Sequence, residues 1–225
     1  MPLHKAPQPG AFCFFGAVGL PIRKAGAPRF CIDGGFTGRP QKLDNHLTMD
    51  DIVHQALAKW PNVPHCYGWL GLSARGSWYM RDDRTQAAGS FPQSRGSLLK
   101  HEKLVEFIHR NYDCDATGQW FFQNGPQRVY VELELTPWVW RLGPGHSVTA
   151  HTGRPARAQG CVVDPQGRLY LDTDIGFGLV HTLDVAQAAD AIEQGLWLPV
   201  EGIAEDLPAR FGYVPSPAAL LAASS

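Results

Sequence analysis

No stretch of the 225-residue chain reaches the roughly 18 consecutive apolar residues that a membrane-spanning helix needs. That absence argues against a membrane protein of the helical type. Nor is there a C-x-x-C pair. The five cysteines, Cys13, Cys31, Cys66, Cys114 and Cys161, are odd in number and scattered, which fits a reducing compartment better than a disulfide framework. A short apolar run from Ala11 to Leu20 comes after His4 and Lys5, but Pro21, Arg23 and Lys24 succeed it without a small-residue cleavage site, so a cytoplasmic protein is expected.

Also missing is any dense basic stripe, which argues against nucleic acid as a partner. Net charge is only −1, though unevenly spread: residues 1–45 carry six Lys/Arg against two Asp/Glu, and residues 184–225 carry one against six. This is read as surface drift, with a homo-oligomer joined through these surfaces as the alternative. Nucleotide and hydrolase signatures are absent too. There is no G-x-S-x-G elbow, no P-loop and no G-x-G-x-x-G after a strand, and His101-Glu102 opens like a zinc-protease motif only to place Val105 where the second His belongs.

What is present is ample material for a core, 44% hydrophobic and 11% aromatic. The chain is organised around residues 94–118. Ser97 reads as the N-cap of a helix running to about Tyr112, with Leu98, His101, Leu104, Val105, Ile108 and Tyr112 on one apolar stripe and His101 therefore facing the core. An earlier helix is expected from Thr48 to Trp60, stopped by Pro61, and a later one from an Asp184 cap to Gln194. Strands are expected at Cys66–Leu72, Ser77–Arg81, Gln127–Leu135, Trp138–Leu142, Cys161–Asp164 and Arg168–Asp172.

A pattern returns three times: Gly76-Ser-Trp78-Tyr79, Gly118-Gln-Trp120-Phe121 and Gly167-Arg-Leu169-Tyr170. Each pairs a turn glycine, able to take positive φ, with large residues entering a strand. The expected class is α+β, with antiparallel hairpins, packed helices and repeated hairpin-helix units in two associated subdomains. The expected divisions are an irregular N-terminal segment packed on the core at 1–45, a first subdomain at 46–142, an irregular connection at 143–160 and a smaller second subdomain at 161–225. Within the first segment Arg29 to Asp33 reads as a short strand.

The run Gly76-Ser-Trp78-Tyr79, then Arg95, Leu104-Val105 and Phe107, then Asp115 to Gly118 with Trp120, and Arg128-Val-Tyr-Val-Glu132 resembles bacterial two-domain families of unknown function built on repeated hairpin-and-helix units. The resemblance covers about residues 66–142. It implies the fold and carries no established reaction or catalytic residue.

Three constellations are candidates for chemistry. Ser94, Arg95, Ser97 and Lys100 surround the expected start of the central helix, where free amides and partial positive charge suit an anionic group. Asp113, Asp115 and Thr117, with Gly118 next, have the spacing of the opening half of a calcium loop, but Asn124 stands where the bidentate Glu belongs. Glu132 and Glu134 share one strand face, expected to be solvated, and with His101 and Glu102 are the acid–base candidates. Trp138 and Trp140 share another face and read as sheet packing before ligand stacking. The reading these support is a non-catalytic small-ligand-binding or regulatory protein recognising an anionic small molecule. The alternatives are an enzyme using the His and Glu groups and a structural interaction module. A pocket joining Arg95 to the carboxylates would favour an enzyme, and a flat apolar patch a module.

Overall fold

A computed structural model describes residue 58 and residues 63–224. The strand at Arg29–Asp33 and the segment 1–45 lie outside the described residues, as does the expected helix at Thr48–Trp60 apart from Ala58, which is helical and exposed.

The described chain opens with a hairpin of β1 (Cys66–Leu72) and β2 (Trp78–Met80), then helix α1 (Asp83–Ala87) and a two-residue strand β3 (Ser97–Leu98). Helix α2 (Glu102–Arg110) leads into β4 (Tyr112–Cys114), β5 (Trp120–Asn124) and β6 (Gln127–Leu133). These strands form one six-stranded sheet in the order β3-β2-β1-β6-β5-β4, antiparallel except where β1 lies parallel to β6. A second sheet takes β7 (Trp138–Leu142), β8 (Val148–Ala150), β9 (Pro155–Ala156), β10 (Ala158–Val163), β11 (Leu169–Thr173) and β12 (Gly176–Val180). Helix α3 (Val185–Glu193) and β13 (Pro199–Glu201) come next, and the chain closes with α4 (Leu207–Phe211) and α5 (Pro217–Ala223). The second sheet runs β13-β10-β11-β12-β7-β8-β9. Mixed sheets with separate helices make this an α+β protein. Among the described residues no helix is long and apolar enough to cross a membrane.

The recurring motif is a turn. At Ser73–Ser77, Asp115–Gln119 and Asp164–Arg168 the first residue's amide donates to the fifth residue's carbonyl, and the glycine amide donates back to the first carbonyl. The first side chain then accepts from the amides of the third and fifth residues, most tightly in Asp164, at 3.0 and 2.9 Å. Gly76, Gly118 and Gly167 have φ of 74°, 80° and 74°, a region that costs other residues. The three hairpins continue differently: β2 runs on to α1, whereas β5 and β11 each lead to a further strand.

The central helix is shorter than its apolar stripe suggests. Ser97 does not cap it. Gly96, at φ 79°, presses its backbone against the Met80 carbonyl, and the chain is thereby drawn into pairing with β2, Ser97 opposite Met80 and Leu98 opposite Tyr79. His101 becomes the N-cap, its Nδ1 accepting from the Leu104 amide at 3.2 Å, and it is exposed rather than in the core. Asp184 stands at the N-cap of α3, as expected, but its carboxylate makes no capping bond and instead holds Arg141 at 2.5 and 3.2 Å and the Leu142 amide at 3.1 Å.

Trp138–Leu142, expected to complete the first unit, pairs with β12 and β8 in the second sheet. Residues 143–160, expected as an irregular connection, contain β8, β9 and the start of β10. The sheets meet through aromatic rings. Trp120 and Trp138 lie 5.0 Å apart edge to face, Tyr112 sits 5.5 Å from Trp138, and the Tyr112 hydroxyl donates to the Pro137 carbonyl. Trp138 and Trp140 are 1% and 0% exposed, and their indole N–H groups reach the Ile175 and Leu171 carbonyls. They are core, as the strand alternation suggested. The C-terminal segment touches both sheets, with Phe211 stacked on Phe177 at 3.7 Å and the Leu133 amide donating to Pro215. Cys66 is disulfide-bonded. Cys114 and Cys161 are free thiols that burial pushes up to about 11.

Candidate functional site

The turn at Arg95, expected to bind an anion, lies beside one of the two strand carboxylates, Glu134. Arg95 Nη2 holds Glu134 Oε1 at 2.6 Å, and Glu134 Oε2 accepts from the Ala74 amide at 3.0 Å. The guanidinium also lies over the Tyr79 ring. Ser94 is turned inward, its hydroxyl donating to the Thr85 carbonyl at 2.6 Å. Ser97 is in β3, and Lys100 is exposed just before the His101 cap. The charge of Arg95 is therefore answered from within the protein, and the helix amides that were to cradle an anion begin four residues further on.

Glu132 lies apart from Glu134. It is only 3% exposed, contrary to a solvated strand face, because α5 covers it. Its carboxylate accepts from the Ser216 hydroxyl at 2.5 Å and the Ala218 amide at 3.0 Å, so it secures the first turn of that helix. Burial raises its pKa, and the bonds from Ser216 and Ala218 and the field of Arg81 oppose the rise. His101 and Glu102 stand exposed at the start of α2. The four acid–base candidates thus have different surroundings, Glu134 on Arg95 and Ala74, Glu132 on Ser216 and Ala218, and His101 and Glu102 in solvent.

The half calcium loop serves the β4–β5 turn. Asp115 Oδ1 accepts from the Thr117 amide and hydroxyl and the Gln119 amide, and its Oδ2 accepts from the Tyr130 hydroxyl. Burial pushes the Asp115 pKa up, but these bonds outweigh it and the net shift is downward. Asp113 accepts from the next amide, at 2.8 Å. Among the described residues no three His, Cys, Asp or Glu side chains gather at one metal position. Millimolar calcium is thus expected to leave the thermal midpoint unchanged in a differential scanning measurement, because the loop's oxygens already have donors. A clear rise in the midpoint would assign the loop to a cation after all.

A cleft of about 370 Å³ lies elsewhere, between the β7–β8 turn, the β9–β10 connection and the chain just after α3. His146, Ser147, Val148, Arg157, Leu196 and Trp197 are among its lining residues. Gly145 and His146 are both left-handed, at φ 64° and 57°. For histidine this is an uncommon backbone state, costing on the order of 1 kcal/mol or more, and it is held by two contacts. His146 Nε2 lies 2.9 Å from Asp190 Oδ2, and the ring meets Trp197 edge on, 6.3 Å between centroids. Asp190 also accepts from Gln194, and these two bonds, His146 first, pull its pKa down. Arg157 spends its backbone on Asp174, its amide donating at 2.8 Å, and its guanidinium makes no ion pair among the described residues. In the sequence His146 lies in a Gly/Pro-rich stretch, and no motif marks Arg157 or Trp197. Those two lie far apart along the chain, so no spacing rule links them. The one local signal is the Gly145-His146 pair inside a strand-to-strand turn.

No curated protein matches the chain. Among solved structures, the crystal structure of a DUF1285 family protein from Silicibacter pomeroyi is similar at 13% identity and a TM-score of 0.41, over 60% of this chain and 74% of that one. The family DUF2944, described as a protein of unknown function (DUF2946), matches residues 49–218, from before β1 into α5. With both sheets and most of the chain inside that match, this protein belongs to that family of unknown function.

Proposed function

We propose that the protein is a non-catalytic binder of a small anionic molecule, and that the ligand enters the cleft at Arg157 instead of the Arg95 turn. The observation that carries this reading is the place of Arg157, which lines the open cleft and holds no carboxylate among the described residues, whereas Arg95, Arg141 and Arg168 each hold one, at 2.6, 2.5 and 2.6 Å. A guanidinium recognises a carboxylate or phosphate through two parallel hydrogen bonds. Val148, Leu196 and Trp197 line the same open cleft, so a cation has apolar and aromatic neighbours there, the mix that small-molecule sites use. The two nearby carboxylates, Asp174 and Asp190, each already accept from the protein. A catalytic reading is less favoured because the His and Glu candidates have different surroundings.

The test is a thermal-shift screen of carboxylates, sugar phosphates and nucleotides. A ligand at 100 times its Kd stabilises the native state by about 2.7 kcal/mol. The shift is expected to disappear in Arg157→Ala and to persist in Arg95→Ala. A hit that survives Arg157→Ala, or that Arg95→Ala abolishes, would move the site back to the turn.

A second reading, a partner-binding module, draws on Leu183, Leu196, Leu198 and Ile203, which are 77%, 57%, 79% and 57% exposed. The edge strand β13 bears Pro199 and Glu201, residues that discourage strand addition, so a partner would be held by side chains. Light scattering on the purified chain, compared with Leu198→Glu, reads this directly: a mass above the monomer that falls in the variant supports it.

A further inference from the structure

His109 and His151 belong to opposite sides of the junction. His109 lies near the end of helix α2 beside the first sheet, and His151 comes directly after β8 in the second. Their rings meet perpendicular, 5.7 Å between centroids at 90°. Trp78, Tyr112 and Trp138 surround His151 at 5.7, 5.9 and 5.8 Å. The first hairpin abuts the same residue, since a Cβ on Gly76 would lie 2.7 Å from His151 Cβ.

The hydrogen bonds define both rings. Trp78 Nε1–H donates to His109 Nε2 at 2.9 Å, leaving His109 its proton on Nδ1. The Val139 amide donates to His151 Nδ1 at 3.3 Å, leaving the His151 proton on Nε2, a buried atom without an acceptor among the described residues. Both imidazoles are therefore neutral acceptors. A second proton on either one must go to the nitrogen that now accepts, so it breaks the bond to Trp78 or to Val139 and sets donor against donor.

Little around them would compensate a charge. Glu106, on the same helix as His109, acts on His109 and favours its charged form. From β4 comes Tyr112, whose hydroxyl is spent on Pro137. From β2 and β7 come Trp78 and Trp138, and Arg154, a cation, lies over the Trp138 ring at 5.5 Å. No carboxylate acts on His151 among the described residues.

We propose that His109 and His151 form an acid-sensitive latch between the two sheets, in which proton uptake undoes the aromatic junction while each sheet keeps its own strands. Burial holds both histidines below the ordinary range, His151 at about 3, with the neighbouring His109 adding to the effect there. A histidine whose folded pKa is depressed supports the closed form fully above its unfolded value, about 6.5. That support is lost as pH falls from about 6.5 toward 3. An opened state that lets the imidazoles reach water binds protons more readily, so acid selects it.

The test tracks near-UV circular dichroism and tryptophan fluorescence from pH 7.5 down to pH 4, with far-UV circular dichroism in parallel and imidazole 15N spectra of the unmodified chain. The expected result is loss of the near-UV signal with the far-UV signal retained, and titration of His109 or His151 in the same step. His109→Gln keeps an acceptor for the Trp78 indole and is expected to make the transition shallower and shift it to lower pH; His151→Phe provides the second variant. The proposal is overturned if near- and far-UV signals vanish together, if the near-UV signal stays constant to pH 4, or if both folded variants keep the transition of the unmodified chain.

Discussion

Arg81→Met is expected to lower the free energy of unfolding by about 3–5 kcal/mol, the range for stranding buried partners of a charged group. Arg81 is 3% exposed at the end of β2. Its fork donates to three carbonyls: Nε to Ser94 at 2.9 Å, Nη1 to Gly68 at 3.0 Å and Nη2 to Gly89 at 2.6 Å. These come from β1 and from the two ends of the loop after α1, so one side chain ties that loop to the sheet. Burial lowers the Arg81 pKa, and the field of Glu132 works against the fall, but a guanidinium stays charged at any pH a protein meets. Methionine fills the space and donates nothing, leaving three carbonyls short of a partner at about 1–3 kcal/mol for each that stays buried. Lysine is expected to rescue only part, because a single ammonium does not match a fork of three directions. Chemical denaturation with an unchanged m-value checks this, and a loss below about 1 kcal/mol would show that water reaches the three carbonyls freely.

The second large effect is expected at Gly118, where alanine should cost about 2–4 kcal/mol, more than the left-handed backbone accounts for alone. At φ 80° any side chain is strained, and here an added Cβ would also fall on the Gly212 carbonyl oxygen and lie 3.1 Å from its carbon and 3.3 Å from Tyr213 Cα. Backbone has no rotamer with which to give way. The same glycine's carbonyl accepts from the Val214 amide at 2.9 Å, so the displaced segment is the one that leads to Ser216 and the cap on Glu132. Gly153 is the control. Its φ is 86° in the turn between β8 and β9, with nothing within 4 Å of an added Cβ, and Gly153→Ala should cost only about 1–2 kcal/mol. Equal losses in the two variants would mean that the C-terminal segment yields without penalty. A larger loss at Gly118, with faster proteolysis of residues 207–224, is the expected outcome.

These two positions also separate what is local in this chain from what is not. The turn at Gly118 was legible because Asp115, Thr117, Gly118 and Gln119 carry its chemistry within five residues, as were the turns at Gly76 and Gly167. Strands at Cys66–Leu72 and Trp138–Leu142 were legible for a similar reason, since short-range alternation and turn residues bound them. A helix centred on Leu104 to Ile108 was legible from its period. None of this reaches across the chain. That Ser97 pairs with Met80 instead of capping a helix depends on a glycine backbone fitting against β2. That Glu132 is buried depends on a helix starting at Pro217. Arg157, His146 and Trp197 share a cleft only because the β7–β8 turn, the β9–β10 connection and the chain after α3 converge there. Local pattern carries the three glycine turns, the strands at Cys66–Leu72 and Trp138–Leu142, the middle of helix α2 and the α+β class, because backbone propensity and side-chain-to-backbone bonds act over a few residues. Which strands share a sheet, where α2 starts and which carboxylates are already answered follow from long-range contacts, which no local pattern encodes.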